Sequence, residues 1–173
     1  LIILGLASGG GQQGPILAAA GAEVTIFDNS ENQLKQDQTV SDLYDLHLKT
    51  VQGDMRDLSV FEDESFDLIF NPCSICFVDE LEKIWKECFR VLKPGGVLMT
   101  GFFNPVVLLF DEETKTLKYK QPFSEIEQLP IDDLQKLIDD REALQFGHSL
   151  ESLIGGQLQA GFLLSHLYED DWN

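Results

Sequence analysis

The chain has 173 residues, enough for one domain with a sizeable core and too few for a second full domain. Hydrophobic residues make up 43% of it and charged residues 24%, which excludes a disordered composition. Thirty Asp and Glu against 12 Lys and Arg leave a formal net charge of −18, which repels polyanions and excludes nucleic acid as a partner.

The apolar run 1–6, stopped by Ala7-Ser8-Gly9-Gly10-Gly11, predicts a buried strand feeding a tight glycine turn. A helix follows over 12–20, with Pro15 tolerable in its first turn and Gly21 as its C-terminal cap. Residues 23–27 read as a second strand ending at Asp28, and Ser30 with Gln33 forms a capping box for a helix that fades before His47. Strands over 49–52 and 66–70 end in Gly53-Asp54-Met55 and Asn71-Pro72. Asp79 and Glu82 read as a capping pair for a helix whose apolar stripe is Leu81, Ile84, Trp85, Cys88, Phe89 and Leu92. Lys93-Pro94-Gly95-Gly96 ends it, and 97–103 makes a fifth strand.

The alternation then breaks. Residues 106–110 and 116–120, joined by the turn 112–115, read as an antiparallel hairpin, and 132–139 as an acidic helix, so 104–147 is expected to be an insertion. A helix over 150–160, closed by Gly161, and a strand over 162–168 resume the core. Gly155 and Gly156 inside that helix cost roughly 1 kcal/mol each relative to alanine, which predicts close backbone packing there. The fold expected is one α/β domain over 1–173: a doubly wound, mostly parallel sheet with helices on both faces. Strand patterns at both termini predict flanking segments outside this sequence.

In such a sheet, ligands settle at the carboxyl ends of the strands. Three informative strand ends meet there. The glycine turn brings backbone close to a ligand, and the following helix offers unpaired N–H groups. Gly9, Gly11 and Gly14 also satisfy the dinucleotide pattern G-x-G-x-x-G, and the Asp28 carboxylate can accept from both hydroxyls of a ribose. Three readings fit: a nucleoside-dependent transferase, a nicotinamide-dependent oxidoreductase, or a non-catalytic nucleoside-binding protein.

The run Leu4-Gly5-Leu6-Ala7-Ser8-Gly9-Gly10-Gly11 resembles the first motif of the class I S-adenosylmethionine-dependent methyltransferases. Thr25-Ile26-Phe27-Asp28-Asn29-Ser30 is similar to their second motif, Gly53-Asp54-Met55-Arg56-Asp57-Leu58 to the third, and Phe66-Asp67-Leu68-Ile69 to the fourth strand. Arg90-Val91-Leu92-Lys93-Pro94-Gly95-Gly96-Val97-Leu98 resembles the family's helix end and fifth-strand entry, a signature that dehydrogenases do not usually carry. The resemblance implies an enzyme with S-adenosylmethionine as cofactor. It implies Ala7, Ser8, Gly9 and Gly11 along the methionine and ribose part, Asp28 on the ribose hydroxyls and Asn29 beside the adenine. Asp54 would take the adenine amino group, Met55 the ring face, and Asn71 the methionine end. Gly5 stands where the family usually has an acidic residue, and Ala7 where it has glycine.

Asn71-Pro72-Cys73-Ser74 lacks the second proline and the aromatic residue of the motif of amino-group methyltransferases that act on nucleic acid bases. The acceptor expected is a small molecule or a protein. Cys73, Ser74 and Cys76 fall where the methyl group should lie, and His148, just before the late helix, is a candidate substrate contact or proton acceptor. The single C-x-x-C supplies two ligands where structural zinc takes four, so no metal is expected. Three cysteines, no secretory pattern and only strand-sized apolar runs predict a cytoplasmic protein that does not enter the membrane.

Overall fold

The computed structural model describes residues 1–111 and 113–169. Five strands form one parallel sheet in the order β3-β2-β1-β4-β5: β1 (Ile2–Leu6), β2 (Glu23–Asp28), β3 (Leu48–Gln52), β4 (Phe66–Asn71) and β5 (Leu92–Thr100). Helices α1 (Gln13–Ala19), α2 (Glu31–Tyr44) and α3 (Glu82–Val91) make the crossovers. The order reverses between β1 and β4, so the carboxyl ends of β1, β2 and β4 flank the crevice that opens at such a switch point. The core lies on both faces of the sheet. Leu4, Leu6, Phe27, Ile69, Ile84 and Trp85 fill one side, and Ile3, Val24, Ile26 and Leu34 the other.

Ser30 caps α2, its hydroxyl accepting from Gln33 N at 3.3 Å, but the expected capping box is only half formed, because Ser30 N donates to Asp28 Oδ1 at 2.9 Å instead of to Gln33. The pair Asp79 and Glu82 does not cap α3: Leu81 occupies the cap position and no side chain bonds there. Asp79 is drawn instead to Arg56, whose Nη1 donates to Asp79 Oδ1 at 3.2 Å. The break expected at Lys93–Gly96 is also absent. Helix α3 passes directly into β5, whose register against β4 shifts between Phe66 and Leu68, and Lys93 Nζ fastens the segment to Asp67 at 2.8 Å. At its other end β5 stops at Thr100, so Phe102 and Phe103 leave the sheet.

The hairpin over 106–110 and 116–120 shrinks to one antiparallel bridge, Phe110 with Leu117. Asn104 accepts from Val106 N at 3.1 Å, and with Pro105 it winds the apolar run into a 3-10 turn, Val107–Leu109, leaving no strand to pair. Glu112 of the predicted turn lies outside the described residues. The segment 104–147 contains α4 (Glu125–Gln128) and α5 (Ile131–Asp139), the latter the acidic helix expected over 132–139. The late helix is a π-helical turn, Glu151–Gly155, running into α6 (Gly156–Ala160). Gly156 lies against Trp85, where a Cβ would stand 2.7 Å from Trp85 Cδ1, while Gly155 meets only Glu151 Cγ at 3.7 Å. The strand expected over 162–168 is not formed among the described residues: the segment has no ladder partner, and Leu163 is 92% exposed. Phe162 is anchored, edge-on to Phe89 at 5.2 Å. Among the described residues no helix is long and apolar enough to cross a membrane.

Candidate active site

The glycine turn sits where β1 ends. Ala7 holds the left-handed φ of 47° that a glycine would adopt freely, and its N–H donates to Phe27 O at 2.7 Å. Gly10 and Gly11 have φ of 131° and 75°, a backbone that side chains resist. Gly5 has no room for the family's acidic side chain: a Cβ there would run into Ile26 Cδ1 and the Ser8 hydroxyl.

Asp28, at the end of β2, turns its carboxylate onto this turn. Oδ2 accepts from Gly9 N at 3.0 Å and Oδ1 from Ser30 N at 2.9 Å. A carboxylate has about four acceptor positions, so Asp28 keeps acceptor capacity for further donors. Asn29 is exposed beside it, with its carbonyl accepting from Gln52 Nε2 at 3.0 Å.

Asp54 is already engaged. Arg56 Nε donates to Oδ1 at 3.0 Å and to Oδ2 at 3.1 Å, and Nη2 to Oδ2 at 2.6 Å. That guanidinium holds the Asp54 carboxyl below the usual carboxylate range. Met55 packs in the core with Phe27 and Leu58. Asn71 is 1% exposed and ties three segments together: Nδ2 donates to Leu6 O at 2.8 Å and to Ser74 Oγ at 2.7 Å, and Thr100 Oγ1 donates to Asn71 Oδ1 at 3.0 Å. Asn71 and Ser74 are thus committed to one another.

Beyond β4, Cys73 takes a left-handed φ of 52°, and a 3-10 turn, Ile75–Phe77, follows. The chain after α5 returns here: Phe146 N donates to Cys76 O at 2.7 Å, and His148 Nε2 lies 3.2 Å from Ile75 O. Burial holds the His148 imidazole below its ordinary range, and it pushes the Cys76 thiol up to about 11. A small cavity of about 20 Å³ lies among Cys73, Cys76, Phe102, Leu108, Phe146 and His148, with no Asp, Glu, Lys or Arg in its wall among the described residues. A larger one of about 420 Å³ shares Phe146, Gly147 and His148 and opens past Asp79, Glu127 and Ser152. Among the described residues no group of three or more His, Cys, Asp or Glu could hold a metal ion.

The sequence reading missed two groups at this site, Arg56 and Asp37. Asp37, on α2, is fully buried and accepts from Gly10 N through Oδ2 at 2.9 Å. The signal was available: Leu34, Asp37 and Ser41 share one helical face, and an acid on an inward face calls for a partner.

Residues 4–100 match the methyltransferase domain family. The chain is 53% identical over 175 aligned positions to the uncharacterized methyltransferase YbaJ of Bacillus subtilis (strain 168), covering 98% of this chain and 69% of that protein. The chain belongs to the class I S-adenosylmethionine-dependent methyltransferases. Squalene methyltransferase 1 of Botryococcus braunii is 36% identical over 87 residues, which are 49% of this chain and 23% of that one. The fold of this methyltransferase is also that of an S-adenosylmethionine-dependent methyltransferase from Mesorhizobium loti, with a TM-score of 0.73, 19% identity, and coverage of 96% of this chain and 76% of that one. Family membership decides among the three readings of the glycine pattern in favour of a transferase.

The donor set fits an S-adenosyl nucleoside. A Cβ at Gly9 would stand 2.8 Å from Gln33 Cβ and 3.0 Å from Asp28 Oδ2, so this backbone lies flat where only hydrogen permits the approach. The acid beside it suits paired hydroxyls. Among the described residues, two buried polar atoms of the turn and its bed, Ser8 Oγ and Asp37 Oδ1, have no hydrogen-bond partner.

Proposed function

We propose that this methyltransferase binds S-adenosylmethionine across the carboxyl ends of β1, β2 and β4 and methylates a small molecule with a neutral, apolar reacting end. The observation that carries the cofactor half is the Asp28 carboxylate aimed at the glycine turn. Ala7, Ser8, Gly9 and Gly11 would line the methionine and ribose part, with Asp28 accepting from the ribose hydroxyls and Asn29 beside the adenine. Asp54 would meet the adenine amino group in competition with Arg56, Met55 would back the ring from the core, and Asn71 would shape the methionine end through the strand ends it ties together.

When bound, the cofactor supplies an electrophilic methyl group on a sulfonium, whose charge is neutralised on transfer. The protein's part is alignment and exclusion of water. Cys73, Cys76, Phe102, Leu108 and Phe146 present an uncharged surface beside the end of β4, unusual in a chain of net charge −18. With Nε2 of His148 set against Ile75 O and the Cys76 thiol held protonated, only Nδ1 of His148 would be left to take a proton. An acceptor on an apolar body suits this wall: a thioether sulfur would take the methyl group as a sulfonium without losing a proton, and an electron-rich carbon would form the new C–C bond and then release a proton to water. The partial likeness to a squalene methyltransferase supports the same class. In this reading the insertion 104–147 walls the acceptor end.

The test has two arms. Calorimetric titration should give micromolar binding of S-adenosylhomocysteine and none of NAD or NADP. Transfer of a labelled methyl group to neutral prenyl alcohols, quinols and thioethers should exceed transfer to nucleotides or charged peptides. Absence of nucleoside binding would overturn the cofactor assignment, and label confined to charged acceptors would overturn the acceptor class.

A further inference from the structure

The cofactor turn rests on α2 over three successive residues. A Cβ at Gly9 would meet Gln33, one at Gly10 would stand 3.1 Å from Gln33 Oε1, and one at Gly11 would stand 3.1 Å from the carbonyl oxygen of Gln36. Asp37 lies at the centre of this bed with none of its surface exposed. Its Oδ2 accepts from the Gly10 amide at 2.9 Å, while Oδ1 has no hydrogen-bond partner of good geometry among the described residues, the Gly11 amide lying close by. The neighbouring amide, Gly9, is held by Asp28, so two carboxylates on separate elements grip consecutive N–H groups of one turn.

This arrangement is poor for stability. A buried carboxylate carries a desolvation penalty that the Gly10 and Gly11 amides offset only in part, and Asp28 adds repulsion from nearby. A leucine, which already serves at Leu34 on the same face, would pack at such a site without that cost. What leucine cannot do is fix the direction of the Gly10 amide, and Gly10 and Gly11 are the residues with the most conformational freedom to lose.

Resting on the cofactor reading above, we propose that Asp37 is a positioning residue for the cofactor turn: by holding the Gly10 amide from beneath, it keeps the Gly9–Gly11 backbone in its binding geometry without touching the ligand. Ligand affinity then depends on Asp37 independently of, and even against, overall stability.

The test compares Asp37→Leu and Asp37→Asn with the parent chain. Three quantities are read: the dissociation constant for S-adenosylhomocysteine, the thermal midpoint, and the NMR shift and solvent exchange of the Gly10 amide. Leucine should weaken binding at least tenfold, speed Gly10 exchange, and leave the midpoint unchanged or raised. Asparagine retains an acceptor oxygen and should restore affinity to within about threefold, since charge-assisted bonds are only about twice as strong as neutral ones. If leucine does not fold, Asp37→Ala takes its place with the same readouts. A folded leucine or alanine variant that binds within twofold of the parent overturns the proposal, as does an asparagine variant that binds no better than leucine. A parent chain that fails to bind S-adenosylhomocysteine is a different result, and it overturns the cofactor reading itself.

Discussion

Replacing Asp28 by alanine separates the two jobs its carboxylate performs. Within the protein it accepts from Gly9 N at 3.0 Å and Ser30 N at 2.9 Å. Net contributions of about 0.5–1.5 kcal/mol per bond give a stability loss of about 2 kcal/mol. For a domain of this size that lowers the thermal midpoint by roughly 4–8 °C. Toward the cofactor, the bonds proposed to the ribose hydroxyls would be charge-assisted and contribute about 1.5–3 kcal/mol each. Since 1.4 kcal/mol is tenfold in affinity, the dissociation constant for S-adenosylhomocysteine should rise by at least about tenfold. Asp28→Asn should fall between: one acceptor oxygen survives, and its NH₂ must face either the Gly9 or the Ser30 amide, donor against donor. Titration calorimetry on variants shown to be folded by circular dichroism makes the measurement. A folded Asp28→Ala that binds within twofold of the parent would refute the ribose role and leave Asp28 as a fastening of the turn.

Three further outcomes are expected. Burial holds His148 below its unfolded value of about 6.5, so the unfolded chain takes up that proton first; stability is complete above that pH and is lost as pH falls below it. His148→Gln should therefore reduce the fall in thermal midpoint between about pH 7.5 and about pH 5.5, and an unchanged fall would count against it. Gly155→Ala should stabilise by about 0.4–1 kcal/mol, whereas Gly156→Ala presses on Trp85 and should cost about 1–2 kcal/mol, both read from urea denaturation midpoints. With its thiol pushed up to about 11, Cys76 should resist alkylation in the native protein at neutral pH and react once denatured, as peptide mass spectrometry would register.

The elements legible in the sequence are those whose local chemistry has one solution. Gly9–Gly11 after an apolar run, Ser30 with Gln33, and the apolar stripe through Ile84, Trp85 and Cys88 each announce a strand end, a cap or a buried face, and each is found in place. The failures share a cause, which is a choice made by distant partners. Asp79 had a capping position available and went to Arg56, 23 residues away. Residues 106–110 had the composition of a strand, but Asn104 and Pro105 set a turn first. The apolar alternation of 162–168 specifies a strand only where a neighbouring ladder exists to receive it. At the site, Asp28 could be read from its distance to the glycines, whereas Asp37 could not be read from motif spacing because its role lies in the packing of α2 beneath the turn.

The two ends of the site are held by different means, and the difference bears on how they can vary. At the proposed cofactor end, carboxylates of Asp28 and Asp37 grip backbone amides, so single side chains set the geometry. At the proposed acceptor end the fastening is largely main chain: Phe146 N on Cys76 O, Gly147 N on Phe123 O, and the His148 ring on the Ile75 carbonyl. Gly147 makes the pinch possible, because a Cβ there would stand 2.9 Å from Phe123 Cβ and 3.1 Å from Leu108 Cδ1. Backbone bonds tolerate changes of side chain, so Phe102, Leu108 and Phe146 can be exchanged for other shapes while the wall stays in place. An enzyme built this way keeps its nucleoside requirement fixed and its acceptor open to change, which is the division of labour that one fold serving many acceptors requires.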